Sequence, residues 1–486
     1  MRKRLILVLA LALVAGFSFA AYAEVQNIKV SGDIRETGIA RDNLALSSNS
    51  AVADYGKNVS GLLSQVRLRV DADLTDNVSA TVRLINERLW GADKNSTNNG
   101  GDADIALDLA NVTLKEFLYS PLTVVVGRQE LRYGNAMVIG AVNTNMISYN
   151  HVAGANQYLP KSVDDLSLRK SFDAIKAVLN YDPLVLDFVY ARVDQNNVKN
   201  DFDTNLTGIN ASYSIAKDLL AEAYFWNRSR RAVQTAVGVS PSQGENLKTA
   251  GVKLAYTGVK DLALSFEGAY QFGDHLRNST WYPNELTTYR HDAGAVGTTN
   301  LTNQRRSVNA FAIQAIASYA FSGLKYSPML SASYNYRSGD KYHSLKRVYT
   351  GWDPMYEDQL GGTIINKLFY NNFQLGNISA SVKPMSDLKL SFDWYIASLN
   401  HTYTEQTSSV AGAQPVRLNS VSGDPTFYMN AGKAFLGNEF EAALTYDYTE
   451  DVQLMLSGGA FIPGKAFASD NNKTATQVMG SMKVTF

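Results

Sequence analysis

The sequence of 486 residues contains no cysteine, so no disulfide bond can stabilise the chain. No apolar run after residue 23 approaches the length of about 18 residues that indicates a transmembrane helix. Basic and acidic residues balance at 45 each, so there is no overall positive charge of the kind that nucleic-acid-binding proteins carry. These absences exclude a disulfide-rich secreted domain and a helical membrane protein, and they argue against a nucleic-acid partner.

The N-terminal segment predicts export from the cytoplasm. Three basic residues at positions 2–4 precede a short apolar stretch, and AYA at positions 21–23 is a typical cleavage site. An uncleaved membrane anchor is the alternative, but the apolar stretch is short for a span of about 20 residues. We therefore expect residues 1–23 to be a cleaved signal peptide and residues 24–486 to form one domain. Cleavage removes three of the 45 basic residues, which leaves 42 against 45 acidic residues and a net charge near −3.

Long segments of alternating apolar and polar residues recur along the mature chain, for example QVRLRVDADL at 65–74 and DLKLSFDWYIAS at 387–398. They exceed the five or six residues usual in soluble sheets and suit strands that cross a bilayer. Short turns such as YDPL at 181–184 alternate with long polar segments such as residues 275–304. In outer-membrane barrels the tight turns are periplasmic and the long loops are extracellular.

About 18 such segments can be counted, and the last one ends the chain with an aromatic residue, Phe486. A secreted β-sandwich or β-helix would need shorter strands or a fixed repeat. The sequence therefore predicts an all-β fold: a transmembrane antiparallel β-barrel of about 18 strands, with long extracellular loops and short periplasmic turns. We expect it to be integral to the outer membrane of a Gram-negative bacterium.

A barrel of this size encloses water, so charged side chains on its inward face are hydrated. In VVVGRQELRYGNAMVIG at 124–140, alternation puts three charged residues on one face, with Val125 and Leu131 on the lipid side. The same reasoning predicts that the pore is lined by Arg67, Arg69, Arg83, Arg128, Glu130, Arg132 and Arg337. Clustered guanidinium groups favour polar or anionic solutes because they bind carboxylates bidentately. The alternative is that these charges only keep the lumen hydrated.

Catalytic and metal-binding patterns are absent from the sequence. The five histidines fall in predicted loops or at strand ends, and none pairs with a suitable nucleophile or carboxylate. No metal-ligand spacing or phosphate-binding glycine loop occurs. The acidic stretch GWDPMYEDQ at 351–359 lacks the ligand spacing of a Ca²⁺ loop and is interpreted as solvated. We therefore expect neither enzymatic activity nor a cofactor.

Four stretches resemble the alginate-export family of outer-membrane porins. They are VVVGRQELRYGNAMVIG, RKSFDAIKAVL, YNYRSGD followed by GWDPMYEDQLGG, and LGNEFEAALTYDYTEDVQLMLSGGAFIPG. The resemblance implies an 18-stranded barrel with a constriction where basic side chains, flanked by acidic ones, pass an anionic polysaccharide. It implies that Arg128, Glu130, Asp173 and Arg337 belong to that site. Asn135 stands where the family has an acidic residue.

The leading hypothesis is an outer-membrane porin-like channel that passes hydrophilic solutes, anionic ones among them, or a polysaccharide. Its expected partners are that solute or polymer, the lipids of the outer membrane and periplasmic export proteins. Two alternatives stay open. One is an uptake porin for small nutrients, and the other is a structural barrel that sheathes or docks a partner such as an electron-carrier protein.

Overall fold

The computed structural model describes residues 26–47, 58–91, 105–142, 163–194, 203–230, 244–277, 304–340, 348–359, 361–369, 371–402 and 427–486. The predicted signal peptide at 1–23 lies outside these residues. Within them the chain forms nineteen strands: β1 Asn27–Asp42, β2 Asn58–Thr75, β3 Val78–Leu89, β4 Ala106–Leu114, β5 Leu122–Glu130, β6 Ser171–Asn180, β7 Leu184–Asp194, β8 Thr204–Ala216, β9 Leu219–Arg230, β10 Glu245–Tyr256, β11 Leu262–Arg277, β12 Gln304–Ala320, β13 Met329–Arg337, β14 Val348–Tyr349, β15 Phe373–Met385, β16 Leu388–Leu399, β17 Phe435–Asp447, β18 Val452–Pro463 and β19 Ala475–Thr485.

Eighteen of these strands form a closed antiparallel barrel, which confirms the predicted fold. Each pairs with its neighbours along the chain, and β1 closes the barrel by pairing with both β2 and β19. The two-residue β14 pairs in parallel with β12, while β13 pairs directly with β15. Closure leaves no free strand edge, which lipid could not satisfy with hydrogen bonds.

Side chains alternate between a lipid-facing surface and the lumen. The outward positions are large and exposed, such as Val252, Phe266 and Phe392, which are 51%, 44% and 48% exposed. The C-terminal strand follows the predicted pattern, since Val478, Met482 and Phe486 lie exposed on one face. Among the described residues, no helix combines the length and the apolar character needed to cross a membrane.

Four segments between strands fold back against the inward face of the barrel. We call residues 131–142 inner segment A, 163–170 inner segment B, 348–359 inner segment C and 361–369 inner segment D. Segments A and C pack on the inward apolar residues of β6 to β12. Segment D, which contains the short helix Ile365–Leu368, packs near β15 to β19, and segment B packs near β1 to β3 and β19. Long loops were predicted on the extracellular side; parts of two of them instead line the lumen.

Candidate functional site

Inner segments A and C pair with each other through their backbones. The N–H groups of Gly140 and Ala141 donate to the carbonyl of Tyr356 at 2.7 and 3.0 Å, and the Tyr356 N–H donates to Val138 at 3.0 Å. Further along, the Asp358 N–H donates to Ala136 at 2.9 Å. Two of the stretches that resemble the family are thereby joined inside the barrel, although more than 200 residues separate them in the sequence.

Buried charged pairs attach inner segment C to the wall. Arg228 on β9 is 1% exposed and binds Asp353 at 2.5 Å and Glu245 at 2.7 Å. Arg337 on β13 binds Glu357 at 2.5 Å. Burial raises the pKa of Glu357, and the charge of Arg337 opposes that rise. The interpretation of this acidic stretch as solvated is therefore wrong, because both carboxylates have inward-facing arginine partners that sequence alone did not assign to them.

One carboxylate of the wall binds several groups of inner segment B. Glu87 on β3 has a fully buried side chain and accepts four hydrogen bonds. Two come from the Leu168 N–H at 2.7 Å and the Ser167 hydroxyl at 2.9 Å, and the Arg169 guanidinium contributes a third at 3.0 Å. The fourth comes from the Gln65 amide at 2.7 Å. This carboxylate therefore fixes both the backbone and the side chains of the segment.

Inner segment D is held in a similar way by two glutamates of β17. Glu439 accepts the N–H groups of Ile364 and Ile365 at 2.8 and 2.6 Å, and Glu441 accepts the Thr363 N–H at 2.5 Å. Both glutamates face the lumen, as alternation predicts. They bind the chain's own backbone there.

The segments leave exposed cations in the narrowed lumen. Arg132 of segment A and Lys170 of segment B both bind Asp358 of segment C, at 2.7 and 2.6 Å. Their side chains are 57% and 38% exposed. Because two cations share one carboxylate, this group of three carries one net positive charge.

Charged residues on β1 to β5 continue the group along the wall. Arg69 binds Asp71 at 2.7 Å and is 42% exposed, and the less exposed Arg67 binds Asp33 at 2.8 Å. Arg83 binds Asp108 and also Glu130 at the end of β5. Of these side chains, Arg69 and Glu130 offer the most surface to a solute.

The structure places Arg128 and Asp173 on the outer face of the barrel, so their predicted pore-lining position is wrong. Arg128 is in register with Asp173 and lies 3.7 Å from it. Val126 and Ile175, on the same face, are 43% and 49% exposed toward lipid. Phe172 and Ala174 alternate with them and pack inside against segments A and C.

The prediction that Val125 and Leu131 face lipid is also wrong. Leu131 is 1% exposed within the apolar cluster beneath segments A and C. Val125 is in register with Lys176, whose neighbour across the sheet is the buried, inward-facing Val189. Apolar side chains therefore occupy the inward face here, because the inner segments pack on it.

The other predicted residues are distributed over three environments. Arg69, Glu130 and Arg132 reach the open lumen, while Arg67 and Arg83 lie deeper in the wall. Arg337 faces inward but is buried beneath segment C. Sequence reasoning missed Lys170 and Asp358, which form one group with Arg132. Both stand in stretches that resemble the family, Lys170 as the second residue of RKSFDAIKAVL and Asp358 as the last acidic residue of GWDPMYEDQLGG. Nothing in their local pattern indicates that they meet.

Comparison with known proteins supports this architecture. A family model described as alginate export matches residues 27–481. OccAB1 of Acinetobacter baumannii superposes with a TM-score of 0.53 at 12% identity, covering 96% of this chain and 99% of that chain. OpdQ of Pseudomonas aeruginosa gives 0.51 at 12% identity, covering 96% and 100%. OccK8 (OprE) of the same organism gives 0.52 at 10% identity, covering 95% and 99%. Against curated proteins the chain has no match.

Proposed function

Because the chain belongs to the alginate export family, we propose that its solutes carry a carboxylate and are guided by Arg69, Arg132 and Lys170. The protein is an integral outer-membrane β-barrel and a porin-like channel for solutes. The proposal adds the chemical class of those solutes and the side chains that contact them. We also propose that residues 24–486 form one domain that has no enzymatic activity and needs no cofactor.

One observation carries the proposal: Arg132 and Lys170 share the single carboxylate of Asp358 while both remain exposed. An incoming carboxylate can replace Asp358 on either cation without leaving a buried charge unpaired. Guanidinium and ammonium groups at a narrowing concentrate anions there. The nearby carboxylates of Asp71 and Glu130 moderate the field, so the expected preference for anions is modest.

The family description suggests an anionic polysaccharide as the transported polymer. The balanced charges of this lumen support a shorter acidic solute equally well, such as a single uronic acid. A barrel that docks a protein inside its lumen is less favoured, because inner segments of the same chain already cover much of the inward face. Outer-membrane lipids and periplasmic export proteins remain predicted partners.

Reversal potentials in planar bilayers test the proposal. The variant with both Arg132→Ala and Lys170→Ala is expected to lower the anion-to-cation permeability ratio about two- to fivefold, the scale of one or two solvent-exposed charge interactions. Arg128→Ala is the matched control, since it removes the same group four residues away on the outer face. Glucuronate is expected to block the current more strongly than glucose, and the double variant to lose that difference.

The outcome that contradicts the proposal is an unchanged permeability ratio in the double variant, or an equal fall in Arg128→Ala. Oligomers of uronic acid then separate the two solute classes. If longer oligomers block the current more strongly, the polysaccharide is favoured as the solute. If the monomer already blocks the current completely, a small acid is favoured.

A further inference from the structure

Two ion pairs connect inner segment B to inner segments C and D. Segment B supplies the lysine to one pair and the acid to the other. At one end of segment B, Lys170 binds Asp358 at 2.6 Å. At the other end, Asp165 binds Lys367 of segment D at 3.0 Å. Each side therefore contributes one acid and one lysine, and segment B is connected at both ends to chain that follows β13.

These pairs are not what holds the segments on the barrel wall. Segment B donates three hydrogen bonds to Glu87, and segment D donates to Glu439 and Glu441. The pair between Asp165 and Lys367 instead connects two segments that are already attached to different strands. Such a contact can determine the distance between the two segments.

Asp165 has a second partner that fixes its position. Arg41 on β1 donates to both of its carboxylate oxygens, at 2.9 and 2.5 Å, and its side chain is 1% exposed. Arg41 also donates to Gln477 on β19 at 2.5 Å. Removing the ammonium group of Lys367 therefore leaves Asp165 paired with Arg41, whereas removing the carboxylate would break the ion pair of a buried arginine.

We propose that Asp165 and Lys367 are positioning residues that hold inner segment B against inner segment D and so set the largest solute that passes Lys170. The inference goes beyond the proposed function, because it concerns the width of the passage and not its preference for charge. It needs no contact between the solute and either residue. Loss of the ion pair lets the two segments separate and widens the passage.

The absence of cysteine from the chain gives a clean test. In Lys367→Cys, the introduced thiol is the only one present, and it can be modified in the unfolded protein before refolding into detergent. A methanethiosulfonate carrying an ethylammonium group restores a cation of nearly the length of lysine. The propyl reagent gives a neutral side chain of the same length. The two products therefore differ by one charge at a single position.

Liposome swelling with neutral sugars of increasing size measures the largest solute that passes through the channel. With the neutral side chain, the rate for a trisaccharide relative to a pentose is expected to rise about threefold, the scale of losing one partly exposed ion pair. The ethylammonium product and Lys367→Arg should both return the wild-type ratio. Lys248→Met, which removes an outward-facing lysine near Phe272, should have no effect.

Equal size limits for the neutral and cationic products overturn the inference. So does a neutral product that fails to refold when the cationic one refolds, because the pair would then serve folding and not spacing. The permeability ratio for anions and cations, measured on the same samples, distinguishes this result from failure of the proposed function. That ratio depends on Arg132 and Lys170 and should change less than twofold here.

Discussion

Replacing Glu87 with glutamine should loosen inner segment B where it contacts β3. The carboxylate accepts hydrogen bonds on both oxygens, from Gln65 and Leu168 on one and from Ser167 and Arg169 on the other. A glutamine side chain keeps one oxygen and presents an NH₂ group to the donors on the other side. With the NH₂ toward Ser167 and Arg169, the Ser167 hydroxyl can turn to accept, but the Arg169 guanidinium then faces a donor and loses its charged acceptor.

The expected magnitude follows from the lost bond to Arg169. A hydrogen bond to a charged group contributes about 1.5–3 kcal/mol, so the segment should lose about that much local stability. Since about 1.4 kcal/mol corresponds to a tenfold change, exchange of the Leu168 amide hydrogen should become about 10- to 100-fold faster. Lys170 lies on the same segment, so the anion preference of the channel should also fall.

Hydrogen exchange read by mass spectrometry on peptides covering 163–170 measures this effect. Glu36→Gln is the matched control, because Glu36 faces outward and binds the Ser64 hydroxyl at 2.6 Å, away from the inner segments. The control should leave exchange in segment B unchanged. An exchange rate in Glu87→Gln within about threefold of wild type, well below the scale of one charged hydrogen bond, would refute the assignment of Glu87 as the attachment point.

Three further predictions concern the same inner segments. Arg228→Met should cost about 3–5 kcal/mol, because it removes the buried guanidinium that Asp353 and Glu245 share; the midpoint of denaturant unfolding measures it. Gly134→Ala should cost about 1–3 kcal/mol, because Gly134 has a φ of +59° and an added Cβ would lie 2.5 Å from a Glu267 oxygen; unfolding of that variant in detergent tests it. Burial alone would raise the pKa of Asp165, but the charges of Lys367 and Arg41 hold it well below the usual range. Its ion pairs are therefore fully formed above about pH 4 and are lost only as the pH falls through the lowered folded-state value, so the sugar size limit should be constant from pH 8 to about pH 5.

Much of the barrel could be predicted because its constraints are local. Alternation along β16 and β19 reports directly on a lipid-facing surface, and Val478, Met482 and Phe486 lie where the pattern puts them. Alternation also separates Phe172 correctly from Asp173. Alternation does not show which of the two faces lines the lumen. Of these two residues, the apolar Phe172 faces inward.

The site was predicted only in part for the same reason. Arg132 was expected on the face of Arg128, yet β5 ends at Glu130 and Arg132 belongs to an inner segment. Its partner is Asp358, from a loop after β13, and the second cation on that carboxylate is Lys170, 38 residues beyond Arg132. No periodicity connects residues at such separations, because their contacts arise when loops fold back onto the wall.

The sequence by itself determined the class of the protein: export, strand number, alternation of faces and the need for closure all follow from short-range patterns and from the solvent on each side. The tertiary structure alone decided what the lumen contains. Inner segments bury apolar side chains against the wall and pair with several of its charges, so an inward-facing arginine can be an attachment point. A residue of a matching motif can face the membrane. Local patterns specify a surface, whereas the width and the charge of the passage depend on which distant segments cover it.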